Sequence, residues 1–177
     1  MGREENVYNL PQKPTRRGRS VKNPPALTRL EIRYGDLDPY GHVNNAVYLE
    51  FFEKVRICYW RALAGIVGIA KLEAGDVPGA RYVIAETTVR YKIPILFEDT
   101  LHGAARIRTV GNRSYTMDFE LRVGETFENG TLAAEGSAAH VFFDPLQNEV
   151  KPRPDWFLST VAKLEGRTEE SFSPEDC

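Results

Sequence analysis

The sequence predicts an α+β domain in which a curved antiparallel sheet of five strands wraps around one long helix. Three observations carry that expectation. A strand-like segment precedes the longest stretch of helical apolar periodicity, four strand-like segments follow it, and Gly111-Asn112 and Asn129-Gly130 read as tight hairpin joints. At 177 residues the chain is long enough to bury one core without metal or disulfide staples.

The elements follow in order. LTRLEIRY (27–34) alternates apolar and polar residues, as a half-buried strand does. The helix is expected over about 45–64. At about 100° per residue, Tyr48, Phe51, Phe52, Val55, Tyr59, Ala62 and Leu63 fall on one broad stripe, wide enough to need a sheet as cover. Glu50, Lys54 and Arg61 lie opposite, with Glu50 and Lys54 at the i, i+4 spacing that suits an ion pair. Ile57 interrupts that charged face and predicts contact with another element or subunit. ARYVIAETTVRY (80–91), TLHGAARIRTV (100–110), RSYTMDFELRV (113–123) and TLAAEGSAAHVFFD (131–144) are the later strands. In the third, Tyr115, Met117, Phe119, Leu121 and Val123 alternate with Ser114, Thr116, Asp118, Glu120 and Arg122. A short helix near 154–164 closes a domain spanning 26–165.

The flanks differ in character. Residues 1–25 read as a disordered basic tail, with Lys13, Arg16, Arg17, Arg19 and Lys22 set among prolines. Residues 166–177, GRTEESFSPEDC, read as an acidic tail that frays. A formal net charge of −2 gives no electrostatic reason to expect nucleic acid or an anionic membrane as partner. No apolar run approaches the roughly 18 residues of a membrane span. MGREENVYNL lacks the apolar core of a secretion signal, and two cysteines, Cys58 and Cys177, suggest neither a disulfide framework nor a thiolate metal site. A reducing cytoplasm fits.

The stretch GDLDPYGHVNNAVYLEFFEKVR (35–56) crowds two acids, a histidine and two asparagines ahead of the apolar helix. A helix cap and a turn relieved by Gly41 need one asparagine and one acid. A carboxylate, an imidazole and a second amide remain beside exposed helix N–H groups, which are ready donors to a developing oxyanion. That pattern suits acyl transfer or hydrolysis, with a carboxylate attacking an acyl carbon or drawing a proton from water. Asn45 immediately precedes Val47 and Tyr48, so it is expected to cap the helix, leaving Asn44 turned toward substrate or Asp38.

The motif D-x-D-x-x-G-H-V-N-N-x-x-Y-L-x-x-F-E, Asp36 through Glu53, resembles the start of hotdog-fold acyl-CoA thioesterases of the 4-hydroxybenzoyl-CoA thioesterase type. TTVRYKIPILFEDTL and AAHVFFDPLQNEVKPRP resemble the following strand-and-proline segment and the last strand, so the resemblance covers about 27–160. It implies a hotdog fold, Asp38 as the catalytic nucleophile or general base, and backbone N–H groups around Gly41 to Asn45 as the oxyanion hole. It also implies an acyl-CoA or acyl-carrier-protein thioester as substrate, coenzyme A only as part of that substrate, and a homodimer or homotetramer. One branch of the family has His or Phe in place of Asn45 and an aliphatic residue in place of His42, which weakens any transfer of that branch's aromatic acyl groups.

Among the other polar residues, His42 is a candidate to orient water or Asp38, and Asp36 to hold the turn. Tyr48, Arg113 and Ser114 are candidate substrate contacts, Arg113 as a cation for a coenzyme A phosphate or simply as an exposed hairpin arginine. His102 and His140 lack acidic or thiol partners at ligand spacing, so both are expected to be structural and no metal site is expected. Glu86 reads as a solvated strand glutamate, and Glu50 as an ion-pair partner. Two alternatives stay open: a hotdog hydratase or dehydratase, whose differently spaced Asp…His pair is not found here, and a non-enzymatic acyl-CoA-binding module.

Overall fold

The computed structural model of the chain describes residues 24–68, 77 and 79–173. The basic tail expected over 1–25 lies outside the described residues except for its last two positions. In chain order the elements are β1 (Ala26–Leu30), α1 (Val47–Val67), β2 (Tyr82–Tyr91), β3 (Leu101–Val110), β4 (Ser114–Val123), β5 (Thr131–Asp144), β6 (Glu149–Val150) and α2 (Asp155–Glu165). The sheet is antiparallel in the order β1-β3-β4-β5-β2, with β6 paired to β5. Four long strands and the short β1 around a central helix are the hotdog arrangement the sequence predicts. The first strand is shorter than expected, because residues 31–33 leave the sheet and a 3-10 turn follows at Tyr34–Asp36.

Every member of the predicted helix stripe is buried except half-buried Ala62. The helix can sit close because two strands carry no side chain beneath it. A methyl group on Gly103 of β3 would strike the side chains of Val55 and Leu30, and one on Gly136 of β5 would strike the Phe52 ring and the Thr88 carbonyl. Over Gly136 the Phe52 ring stacks on Phe119 of β4 at 4.7 Å. Bulges between Ile84 and Glu86, Ile107 and Thr109, and Leu121 and Arg122 curve the sheet around the helix.

The outward residues of β4 are less solvated than their alternation suggests. Glu120 is buried, pairs with Arg122 at 2.9 Å, and lies beneath the 124–130 loop, whose Phe127 ring takes the Arg122 guanidinium at 5.1 Å. The C-terminal end departs further from expectation. Residues 166–173 do not fray: Phe172 is fully buried under Arg167, whose guanidinium lies 3.9 Å from its ring centroid and donates to the Ile107 carbonyl. Just before, Glu165 accepts from the Ile107 N–H at 2.7 Å and the Tyr59 hydroxyl at 3.0 Å, tying α2 to β3 and α1. Burial pushes the Glu165 pKa up against the pull of that N–H and of Arg106.

His140 of β5 is structural, as expected, and is fully buried between rings. It stacks on Tyr115 at 4.4 Å and meets Tyr82 edge-on at 5.1 Å. The Ala138 and Tyr115 backbones favour a ring proton weakly, yet neither ring nitrogen has a hydrogen bond of good geometry. Burial first, and the Arg56 charge second, lower its pKa to about 3.

Two outcomes follow from this packing. Gly136→Ala should cost about 1–3 kcal/mol in denaturant unfolding by overpacking, whereas Gly65→Ala, with open space around it, should stabilise by about 0.5–1 kcal/mol. For His140 the unfolded chain takes a proton near pH 6.5 and the folded chain not until about pH 3. Stability should therefore fall as pH drops from 6.5 through 4, by up to about 1.4 kcal/mol per pH unit. Urea titrations of His140→Phe should be flatter over that window than those of the wild type.

Candidate active site

The polar knot ahead of α1 is held by one buried acid. Asp36 is 4% exposed and accepts from the Arg33 backbone N–H at 2.8 Å and from the Arg33 guanidinium at 3.1 Å. Burial pushes its pKa up, but the Arg33 N–H, guanidinium and charge outweigh that and hold it below the usual carboxylate value. Arg33 also reaches Glu50 in the first turn of α1 at 3.2 Å, so it joins the knot to the helix. The expected Glu50–Lys54 pair gives way to this contact, and the Lys54 amine lies over the Phe51 ring instead.

Asp38 sits in a closed turn. Its N–H donates to the His42 carbonyl at 2.7 Å, the Gly41 N–H donates back to the Asp38 carbonyl at 3.0 Å, and Gly41 takes φ +79°, the left-handed region that favours glycine. One carboxylate oxygen, Oδ1, accepts from the N–H groups of Tyr40 at 2.9 Å and His42 at 3.1 Å. The other, Oδ2, has no hydrogen-bond partner among the described residues. His42 thus holds Asp38 through its backbone. The turn is fixed from beneath by Val43, buried, whose N–H donates to the Ile95 carbonyl, and by bridges Leu37–Val43 and His42–Leu96.

At the helix start it is Asn44, not Asn45 as expected, whose side chain bonds the backbone. The Asn44 side-chain oxygen accepts from the Ala46 N–H at 3.0 Å and its carbonyl accepts from the Val47 N–H at 2.9 Å. The helix begins at Val47, two residues later than expected, and Asn45 makes no side-chain cap bond. The Asn44 bond closes a turn onto the N–H two residues on, just ahead of the helix, and α1 has no side-chain cap bond of its own. The Asn45 N–H has no acceptor among the described residues, and its carbonyl accepts from the Tyr91 hydroxyl at 3.2 Å. Tyr91 packs edge-on against Tyr48 at 4.8 Å. Burial raises Tyr48 to about 12, offset by a backbone bond at Ile95 and reinforced by the charges of Tyr91 and Asp38. A free carboxylate oxygen and a free N–H in one rigid turn can serve acyl transfer: one attacks or deprotonates, the other accepts charge on oxygen.

The model of the thioesterase-like superfamily matches residues 32–161. The chain belongs to this superfamily. It is 29% identical over 87 residues to the Escherichia coli long-chain acyl-CoA thioesterase FadM, a stretch covering 49% of this chain and 61%, under two thirds, of that relative. A thioesterase from Thermus thermophilus, solved in complex with coenzyme A and zinc, is 32% identical and superposes with a TM-score of 0.66 over 82% of this chain and 98% of its own. The PA2801 protein of Pseudomonas aeruginosa, 23% identical, shares the fold at a TM-score of 0.64 over 78% and 99%.

Within the superfamily scaffold, the turn gathers Asp38, Gly41, His42, Asn44 and Asn45, with Tyr48 beneath them. Arg113 and Ser114 are not brought to it. They are exposed at the β3–β4 hairpin, in the row Ser114–Val141–Val83, while the Asp38 turn lies at the Tyr91–Ala134–Leu121 end. Eight residues of strand separate those rows, roughly 25 Å. Glu86 is exposed on β2, and His102 bonds the Glu125 carbonyl away from the turn. Among the described residues no three His, Cys, Asp or Glu side chains gather as metal ligands. Sequence reasoning missed Tyr91, for which the one available signal was an aromatic residue closing a strand just before Pro94.

The difference between the two asparagines is testable by melting. Asn44→Ala should lose about 1 kcal/mol, the scale of one lost hydrogen bond, and Asn45→Ala should stay within about 0.5 kcal/mol of the wild type. Equal losses in both would contradict it.

Proposed function

We propose that this chain hydrolyses acyl thioesters, carried on coenzyme A or on an acyl carrier protein, to a free acid and a free thiol. The observation that carries this reading is the divided Asp38 carboxylate, with Oδ1 bound to its own turn and Oδ2 free, in the same polar knot that leaves the Asn45 N–H unbonded at the helix start. Acting as a base, Asp38 takes a proton from water while the water oxygen adds to the thioester carbonyl carbon. The carbonyl electron pair moves onto oxygen, where the Asn45 N–H and the helix start stabilise it. Collapse breaks the C–S bond, and the proton on Asp38 passes to the departing thiolate. Acting as a nucleophile, Oδ2 would form a mixed anhydride, expel the thiolate to take a proton from solvent, and be freed by water. The His42 ring is the neighbouring group that orients the attacking water, while the Asn44 side chain is committed to the Ala46 N–H. Coenzyme A enters as part of the substrate.

The assembly we propose is at least a homodimer paired along β2. That strand ends the sheet order with one side unpaired, and it exposes Val83, Ile84 and Tyr91. A long apolar edge is a template for another strand. Antiparallel β2–β2 pairing would bring the partner's Arg113 hairpin to the Asp38 end of the joined sheet, where a cation meets a coenzyme A phosphate. Among the described residues no helix is long and apolar enough to cross a membrane, and Cys58 is a free thiol, in keeping with a cytoplasmic setting.

Asp38→Asn keeps size and removes charge, so thiol release from acyl-CoA should fall by about 100-fold or more while the fold survives. Asp36→Asn should act chiefly by lowering the melting temperature. Near wild-type turnover by Asp38→Asn would end the mechanism. Light scattering should give a multiple of the 20.0 kDa chain; a fully active monomer would contradict the shared edge.

A further inference from the structure

A second group of polar side chains lies further along the same helix and plays no part in the chemistry above. A cavity of about 250 Å³ runs between α1 and β2; its apolar wall is Leu49, Phe52, Ile84, Phe119 and Ala138, and Arg56, Thr87, Glu50 and Glu53 also line it, with Glu50 held by Arg33. Leu49, Phe52 and Arg56 succeed one another on one helix face. The cavity therefore starts in the first turn of α1, beside the Asp38 turn, and reaches Arg56 about 10 Å further on.

Arg56 is a cation in an apolar place. It is 9% exposed, and its Nε–H has no acceptor among the described residues. The carboxylate it does reach, Glu53 at 3.3 Å, has a side chain 59% exposed and is well solvated. Behind Arg56 lies a cluster of rings carrying further polar atoms without well-formed hydrogen bonds: Trp60 Nε1, the Tyr115 hydroxyl and both His140 nitrogens. The Arg56 guanidinium stands 6.0 Å from the Tyr82 ring centroid, and Tyr82 packs against Trp60, Tyr115 and His140 in turn. Buried donors are nearly always satisfied in folded proteins, and an unpaired buried charge is the costliest exception. At this end of the cavity the Arg56 Nε–H is a buried charged donor without an acceptor among the described residues.

We propose that the α1–β2 cavity receives the far end of the acyl group and that Arg56 selects chains ending in a carboxylate. The inference rests on the thioester-hydrolase reading, since the carbonyl must lie at the helix start for the distal end to reach Arg56. A carboxylate answers a guanidinium with two parallel charged hydrogen bonds and balances a charge that solvated Glu53 neutralises poorly. A hydroxyl supplies one neutral acceptor, and a methyl group leaves the Nε–H unpaired.

The test compares coenzyme A thioesters of equal carbon count ending in a methyl, a hydroxyl or a carboxyl group, over a series of lengths, by kcat/KM for thiol release from the full chain. At the best length the carboxyl-ended thioester should be preferred over the methyl-ended one by about 10- to 100-fold. Arg56→Gln should remove that preference, and Arg56→Lys should restore part of it, with circular dichroism on each variant. If a buried Arg56 substitution fails to fold, the wild-type ratio decides alone. Preference for methyl ends at every length, equal use of hydroxyl and carboxyl ends, or a folded Arg56→Gln with an unchanged ratio would each overturn the inference while leaving the hydrolase reading in place. Thiol release from none of the three series would overturn both.

Discussion

The depth at which α1 lies on the sheet governs the rest of this molecule. Gly103 and Gly136 leave room for Val55 and Phe52 to press against the backbone of β3 and β5, and no larger residue fits at either place. With the helix seated there, its N-terminal end opens over the loop carrying Ile95 and Leu96, where Val43 and His42 pair with the 95–96 backbone. The same seating lines the α1–β2 cavity with Phe52 and Phe119 and sets Arg56 against Tyr82. The Asp38 turn and the α1–β2 cavity are thus two consequences of one packing arrangement.

Two acids two residues apart acquire opposite tasks from their surroundings. Asp36 is buried, held by Arg33 and kept charged, so it serves as an anchor whose loss would release the turn. Asp38 is half-buried, and its own turn satisfies one oxygen and leaves the other open. Arg33 couples them to the helix through Glu50. An anchor satisfied on every side next to a carboxylate satisfied on one side is the arrangement the proposed hydrolase needs.

Much of this was legible in the sequence because α1 and β4 have clean periodicities, 3.6 on the helix and 2 on the strand. Their buried residues follow that pattern, and the motif from Asp36 to Glu53 marks the turn. The misses have physical reasons. Proximity to the apolar run points to Asn45 as the cap, but which asparagine bonds the backbone depends on backbone angles that two adjacent asparagines do not reveal, and it is Asn44 that bonds the Ala46 N–H. The last residues looked like an acidic tail because charge outweighs one aromatic in composition, yet Phe172 beneath Arg167 is enough to pin them. Nothing in the strand pattern marks glycines 103 and 136, since their importance lies in what the helix places above them. Arg56 sits on a helix position whose burial depends on β2, an edge strand far away in sequence.

The central claim is that the thioester carbonyl is held at the start of α1, between Asp38 and the Asn45 N–H. It is tested most directly by a crystal structure with an acyl-CoA ketone, in which a methylene replaces the thioester sulfur and hydrolysis is blocked. The account predicts the ketone oxygen within about 3 Å of the Asn45 N–H and Asp38 Oδ2 facing the carbonyl carbon, directly or through one water. A ketone bound with its carbonyl away from the helix start would contradict it.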